Sequence, residues 1–371
     1  MDRPPAEPAH GVLPSFQTHS FSFACRLLAD RRKKGETLHP TSQDLSSAQL
    51  ARAQGCLLGQ LAGDALGSLV EFQTPDSIRR YFPAGVRDMI DGGIWNTLAG
   101  QPTDDSEMAL MLARTLVRLG GYDRDEVLAA YRFWIDSRPF DCGMTVSAGL
   151  RGYPNPASQA NGALMRISPL GIFGLRCSLD EVAELARQDA ALTHPHPLCQ
   201  QVNALYATAL VLAIRDGLAP EPLYARILEM AQSQNVDPLL LQVTREAREA
   251  PPKSYIRQEG WVLIAWQNAL WQLLQAPEPE TAIIDTVMQG GDTDTNAAIC
   301  GALLGALYGI DHIPQRWRTA ILNCRPQQGL PEVMQPRPEC FWPVDALELA
   351  LQLAAGGAGD QCGQAEPLWS K

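Results

Sequence analysis

Seven residues, Gly290-Gly291-Asp292-Thr293-Asp294-Thr295-Asn296, place two carboxylates and two hydroxyls behind a glycine pair and ahead of a small, apolar run from Ala297 to Tyr308. Such a stretch reads as a metal-binding loop feeding a buried helix. In an extended loop Asp292 and Asp294 project the same way; on a regular helix they would diverge. Helix capping gives the same residues a purely structural role, since Asp and Thr satisfy the orphan N–H groups of a first turn. A second cluster, Thr103-Asp104-Asp105-Ser106, also precedes an apolar-periodic run, Met108 to Leu119. There too a cap is available, because Asp104 and Glu107 have capping-box spacing. One cap consumes one carboxylate, however, and each cluster has two.

Ligands that are all oxygen suit hard cations, Mg2+ or Mn2+, rather than zinc or copper. Four or five converging carboxylates would repel one another and raise their own pKa values unless cations neutralise them. Two divalent ions about 3.5 to 4 Å apart would do so, and would bind a diol while activating a water. Asp64 and Glu71 are the charged residues in an otherwise small and apolar stretch. Asp64 reads as a buried, hydrogen-bonded structural carboxylate, and Glu71 either as a surface charge or as part of the site. In Thr193-His194-Pro195-His196-Pro197 the two histidines have no cysteine partner in a zinc-type spacing, so a helix cap at Thr193 with one histidine facing a ligand is the better reading. Asn161-Gly162 has turn chemistry and exposes backbone N–H groups to a ligand.

The elements that must position these groups are helical. Apolar residues recur with helical spacing in Leu179–Leu192, Pro197–Asp216, Pro222–Ser233, Pro238–Ala247, Gly260–Leu274 and Thr281–Gln289, alternating strand patterns are scarce, and no Gly-rich phosphate fingerprint follows a strand. The fold class is therefore all-α. The first helix opens at Ser46 or Ser47, and the small residues Gly55, Gly59, Ala62, Gly63, Ala65 and Gly67 along it imply close approach of a helix or a ligand. Between 74 and 102 the prolines and glycines make an irregular stretch that delivers the first acidic cluster as a loop.

Thirty basic against forty-one acidic residues give a net charge of -11, which argues against a nucleic-acid binder. Nine cysteines with no C-x-x-C pair read as reduced thiols of a cytoplasmic protein. No apolar run is read as long enough to span a bilayer, so no membrane partner is expected. Residues 1–47 form an extension rich in Pro, Ser and polar groups, with a basic run Arg31-Arg32-Lys33-Lys34 and an apolar patch around Phe21, Phe23 and Leu27. The domain proper covers 48–355, and 356–371 reads as a loose tail.

The five pieces Gly63-Asp64-Ala65-Leu66-Gly67 with Glu71, Thr103-Asp104-Asp105-Ser106, Asn161-Gly162-Ala163-Leu164-Met165-Arg166, Thr193-His194-Pro195-His196-Pro197 and Gly290-Gly291-Asp292-Thr293-Asp294-Thr295 stand in an order that resembles the ADP-ribosylglycohydrolase family, including the dinitrogenase-reductase-activating glycohydrolase type. The resemblance runs from about Gln54 to Pro314. It implies a compact orthogonal helical domain with a dinuclear metal cleft, and removal of ADP-ribose from modified proteins, most naturally from arginine. It implies two divalent cations, Mg2+ or Mn2+, held by Thr103, Asp104, Asp105, Asp292, Asp294 and Thr295. Glu71 would stand beside them as ligand or acid/base, with Asp105 and Asp294 essential to turnover. Asn161, Gly162 and His196 would line the ADP-ribose pocket, Gly290 and Gly291 would let backbone approach the ribose or phosphates, and Asp141 would stand near the leaving group.

Two departures qualify the likeness. Gln159-Ala160 precede Asn161 where a glycine is expected, which would alter the diphosphate contacts. The extension of nearly fifty residues is similar to that of immunity-type members, in which such an arm also binds an ADP-ribosylating toxin. A different class of function is a chain that has lost hydrolysis and acts as an ADP-ribose reader or a purely toxin-binding immunity protein. Intact acidic clusters weigh against it, because carboxylates are costly to hold together without their ion.

Overall fold

The structure, a computed structural model, describes residues 45–357. Almost all of the expected extension and tail fall outside that range. Among the described residues there are fifteen α-helices and no β-strands. They are α1 (Ser47–Gly67), α2 (Pro75–Tyr81), α3 (Asp104–Leu119), α4 (Arg124–Asp136), α5 (Met144–Leu150), α6 (Ser168–Phe173), α7 (Leu179–Ala191) and α8 (Pro197–Val211). There follow α9 (Pro220–Ser233), α10 (Pro238–Glu246), α11 (Val262–Gln275), α12 (Pro279–Val287), α13 (Thr293–Tyr308), α14 (Gln315–Asn323) and α15 (Ala346–Ala354).

The fold is built around α1 and α13, which run antiparallel at backbone contact. Glycine recurs at every fourth position of α1 (Gly55, Gly59, Gly63, Gly67), and small residues do the same on the facing side, at Ala297, Gly301, Gly305 and Gly309. A Cβ added to Gly59 would lie 2.0 Å from the Gly301 carbonyl oxygen, and one added to Gly301 would lie 2.1 Å from that of Gly59. No side chain fits there. Each glycine costs its helix about 1 kcal/mol relative to alanine, offset here by dense backbone packing. Four-residue spacing keeps the small residues on one helical face, so the stripe is legible as a contact surface. Around this pair, α11 and α12 pack against α13, α15 lies on α1, and α7 pairs with α8. One contiguous core results, including Leu57, Leu61, Met111, Trp134, Tyr206, Trp266 and Leu303.

Helix ends follow the chemistry of their caps. Ser46 and Gln49 form a capping box at α1. α3 uses no cap of its own: Thr103 makes no side-chain cap bond and the Asp104–Glu107 box is not formed. Glu107 instead accepts two hydrogen bonds from Arg337, at 2.8 and 2.7 Å, and one from the Trp134 indole. The cap expected at Thr193 lies at His196, whose Nδ1 accepts the Leu198 N–H at 3.1 Å. The helical stretch Pro197–Asp216 is long and apolar enough to cross a bilayer by length and composition, contrary to the sequence reading, yet 83% of its 18-residue apolar window is buried inside the molecule as core.

Candidate metal centre and substrate cleft

The C-terminal end of α1 positions both acidic clusters. Asp64, fully buried on α1, accepts the Thr103 hydroxyl at 2.8 Å and the backbone N–H groups of Thr103 and Ser106 at 3.1 Å. A carboxylate from α1 thereby caps α3 and sits at the positive end of its dipole. Burial raises the Asp64 carboxyl to about 6 and these hydrogen bonds restrain the rise. Three residues further on, Gly67 meets the other cluster: a Cβ there would lie 2.4 Å from the Asp294 Cα, and the Thr293 hydroxyl donates to the Gly67 carbonyl at 2.7 Å. The starts of α3 and α13 are thus fixed to one helix end.

The two clusters meet. Thr295 Oγ1 donates to Asp105 Oδ2 at 3.3 Å, joining α13 to α3. Glu71, in the loop after α1, offers a carboxylate oxygen within 4.8 Å of oxygens from Asp292 and Asp294. An extended loop is not what makes Asp292 and Asp294 converge, since α13 begins at Thr293 and Asp294 is already helical. Asp292 is the N-cap residue with non-helical backbone angles (φ -76, ψ 74) and makes no cap bond. Its carboxylate is buried and accepts Asn161 Nδ2 at 2.7 Å.

Every acid of the cleft is driven toward its protonated form. Asp104, Asp105 and Asp294 are pushed well above the usual carboxylate range, first by burial and then by neighbouring carboxylates. Glu71 is pushed up to about 9 by burial, then by Asp141 and Asp292. Burial raises Asp292 as well, against the Asn161 hydrogen bond. Asp141, on the loop before α5, is raised to about 6 by burial, with a hydrogen bond from Asp104 restraining it. Asp104 also accepts the Gly143 N–H at 3.3 Å, so the Asp141 loop is tied to the first cluster.

Two oxygens in this cleft, Asp105 Oδ1 and Asp294 Oδ2, are buried without any hydrogen-bond partner. Buried acceptors are normally satisfied, and unsatisfied ones mark strain or a missing ion. An all-oxygen set from Glu71, Asp104, Asp105, Asp292, Asp294 and the Thr103 and Thr295 hydroxyls fits a hard divalent cation. The carboxylates present therefore fit the metal that their types suggested.

The neighbouring pocket loops are held by polar contacts. Asn161 donates its backbone N–H to the Gly260 carbonyl at 3.0 Å, and Gly162 packs on Val146 and His194. Arg166, fully buried, bonds Asp189 Oδ2 (3.1 Å), Thr193 Oγ1 (2.9 Å) and the Gly162 carbonyl (3.4 Å), locking the Asn161 loop to the histidine loop. His196 lies 3.2 Å from Gln159 Nε2 beside that loop, while His194 is buried with Nδ1 against Thr193 Oγ1. Gly290 and Gly291 both have φ near +73, and the close approach they permit is to the chain itself. A Cβ at Gly290 would lie 2.4 Å from the Gln73 carbonyl oxygen, and one at Gly291 2.0 Å from that of Tyr255. Sequence reasoning did not single out Trp95, whose indole N–H donates to Glu71 Oε2 at 2.6 Å, or Gln60, which bonds the carbonyls of Asp105 and Met165. The glycine-rich setting of Trp95 was its only signal.

Similar proteins are consistent in kind. A solved structure of an ADP-ribosylglycohydrolase-related protein complex superposes with a TM-score of 0.69 at 27% identity, over 83% of this chain and 99% of that one. The ADP-ribosyl-(dinitrogen reductase) glycohydrolase of Rhodospirillum rubrum is 34% identical over 276 residues, 72% of this chain and 88% of the relative. ADP-ribosylarginine hydrolase Tri1 of Pseudomonas putida (strain GB-1) is 29% identical over 315 residues, 80% and 81% of the two chains. The family model for ADP-ribosylglycohydrolase matches residues 45–352, which takes in both acidic clusters and every helix that carries them. This chain belongs to the ADP-ribosylglycohydrolase family.

Proposed function

We propose that the protein hydrolyses the N-glycosidic bond between ADP-ribose and an arginine side chain of a modified protein, using two divalent cations, Mg2+ or Mn2+. The observation that carries this reading is the pair of buried, partnerless carboxylate oxygens on Asp105 and Asp294, facing a cleft where six carboxyl groups crowd together. Bound cations would supply positive charge to a ribose diol and lower the pKa of a water. Thr103, Asp104, Asp105, Asp292, Asp294 and Thr295 would hold them, with Glu71 turned toward them. Asn161 fixes Asp292 and, with Gly162 and His196, borders the space for the rest of ADP-ribose. Attack on the anomeric carbon requires a proton to be taken from water and one to be delivered to the departing guanidine. Glu71, whose carboxylate faces Asp292 and Asp294, and Asp141, tied to the first cluster through Asp104, are the carboxyls that would exchange them.

The relative named as an ADP-ribosylarginine hydrolase supports arginine as the linkage. The retained carboxylates favour hydrolysis over a reader without activity. The test is to incubate the pure protein with arginine-linked and serine-linked ADP-ribosylated proteins, with Mg2+, Mn2+ or EDTA. Metal-dependent release of ADP-ribose from arginine is expected; no release from either substrate sinks the reading, and release from serine alone replaces the linkage.

Residues 1–47 lie almost wholly outside the described range, so toxin binding by this arm rests on composition alone. We propose it as an immunity role, in which Phe21, Phe23 and Arg26 enter the NAD cleft of a cognate ADP-ribosyltransferase toxin. Deleting residues 1–40 should weaken toxin binding and spare hydrolysis; equal binding by the truncated chain rejects the role.

A further inference from the structure

We propose that Trp95 is a positioning residue that holds Glu71 in the metal cleft with one carboxylate oxygen occupied and the other turned to the cations; this rests on the hydrolase reading above. Glu71 is 5% exposed, stands in a loop rather than a helix, and faces Asp292 and Asp294 at close range. Repulsion and desolvation both drive such a side chain to rotate outward. Its hydrogen bond to the Trp95 indole at 2.6 Å opposes that rotation.

The indole is delivered by a turn whose shape owes nothing to Glu71. Gly92 and Thr97 exchange two backbone hydrogen bonds at 2.8 and 3.0 Å, closing the turn on itself. Asn96 and Gly93 take left-handed backbone angles (φ 53 and 70). A Cβ at Gly93 would lie 2.7 Å from the Leu69 Cα, so only glycine lets the turn rest on the segment that leads into Glu71. From the other side Gln335 donates to the Trp95 carbonyl at 3.0 Å, and Gln101 donates to the Gln335 carbonyl at 2.7 Å. The indole ring also lies against Phe140, with centroids 6.0 Å apart, immediately before Asp141. Trp95 is therefore fixed before it meets the carboxylate, and it links the Glu71 loop to the Asp141 loop.

An indole N–H is a single donor with no acceptor capacity, so it engages one oxygen of Glu71 and leaves the other for a cation. Partners of this kind, which bond a ligand rather than the metal, typically change metal affinity by tenfold or more when removed. Phenylalanine keeps an aromatic ring against Phe140 and removes the donor; histidine restores a donor.

The test compares Trp95→Phe and Trp95→His with the parent in three measurements: metal-free melting temperature, Mn2+ affinity by calorimetry, and kcat and KM on arginine-linked ADP-ribose. For Trp95→Phe we expect melting close to the parent, Mn2+ affinity about tenfold weaker and kcat reduced with KM little changed, with partial recovery in Trp95→His. Parent-like Mn2+ affinity and kcat in Trp95→Phe overturn the proposal. If that variant does not fold, the indole N–H resonances of the intact protein decide. One of the eight must shift both on adding Mg2+, which is diamagnetic, and on Glu71→Gln; absence of either shift overturns it. Mn2+ binding and the indole shift are read without substrate, so they stand apart from a failure of the hydrolase reading, which shows as an inactive parent.

Discussion

Gly67 and Asp294 touch backbone to backbone, with the place of a Gly67 Cβ lying 2.4 Å from the Asp294 Cα and 2.5 Å from its nitrogen. Asp294 carries one of the two partnerless carboxylate oxygens of the cleft. Its position is thus set by the absence of a side chain on another helix. The glycine stripe of α1 ends where the chemistry begins, and the same helix end supplies Asp64 to cap α3.

Substitution of these glycines should invert the usual helix rule. Gly→Ala inside a helix ordinarily stabilises by about 1 kcal/mol. Gly63→Ala would place a methyl 2.0 Å from the Ala297 carbonyl oxygen, so α1 and α13 must separate. Overpacking of this kind typically costs about 1 to 3 kcal/mol, read as a lower urea midpoint. Gly67→Ala should additionally weaken Mn2+ binding, because the atom displaced is Asp294. Unchanged midpoints in both variants would refute backbone contact between the helices.

How much of this was legible in the sequence depends on the range of the interaction. The four-residue glycine spacing and the small-residue run after Asp294 are local patterns, and they mark the two central helices correctly. Which helix faces which is not local. Asp64 reads as a buried structural carboxylate, but that it caps a helix beginning forty residues later depends on packing. Capping-box spacing at Asp104 and Glu107 misleads because Arg337, more than two hundred residues away, claims Glu107. The histidine loop misleads for a similar reason: Arg166 takes the Thr193 hydroxyl, and the cap passes to His196. Trp95 was invisible because nothing in a glycine-rich turn says what its one aromatic residue will touch.

Metal-free stability should fall as pH rises. Glu71 has a folded-state value of about 9 against an ordinary 4.5, so between those values the folded chain binds the extra proton. Its contribution is complete below pH 4.5 and is lost as pH climbs through 9, because deprotonation then leaves a buried charge among carboxylates. Asp104, Asp105 and Asp294 are shifted the same way and steepen the fall. Mg2+ binds the deprotonated set and should lift the alkaline side of the curve. Melting curves from pH 5 to 9 with EDTA and with Mg2+ check this; parallel curves would exclude a cation at these carboxylates.

Breaking the buried Arg166–Asp189 pair should be expensive and should reach the pocket. Both side chains are fully buried, and Arg166 also lies over the Tyr131 ring at 4.5 Å. Arg166→Met strands a buried carboxylate, a change that costs about 3 to 5 kcal/mol in comparable cases. Asp189→Asn leaves the Arg166 guanidinium buried without a counter-charge and should cost on the same scale. Since Arg166 also ties Gly162 to Thr193, surviving Arg166→Met protein should show a raised KM for ADP-ribosylated substrate with a smaller change in kcat. A normal urea midpoint for Arg166→Met would contradict the pair as drawn.

Asp141 and Asp105 should fail differently when each is changed to asparagine. Asp105 is buried, bonded by Thr295 and left with one partnerless oxygen, so Asp105→Asn should abolish both divalent-metal binding and turnover. Asp141 is half-buried on a loop and approaches the cleft through Asp104, outside the set proposed to hold the cations. Asp141→Asn should therefore retain metal binding while kcat on arginine-linked substrate drops by about a hundredfold or more, the scale of a lost acid–base group. The loss should be smaller for a substrate whose leaving group needs no proton, such as ADP-ribosyl fluoride, because departure of fluoride removes the step that Asp141 assists. Calorimetric Mn2+ titration beside steady-state kinetics on the two substrates separates the roles. If Asp141→Asn loses metal binding along with turnover, or if both substrates are slowed equally, Asp141 serves the cation cluster and not the leaving group.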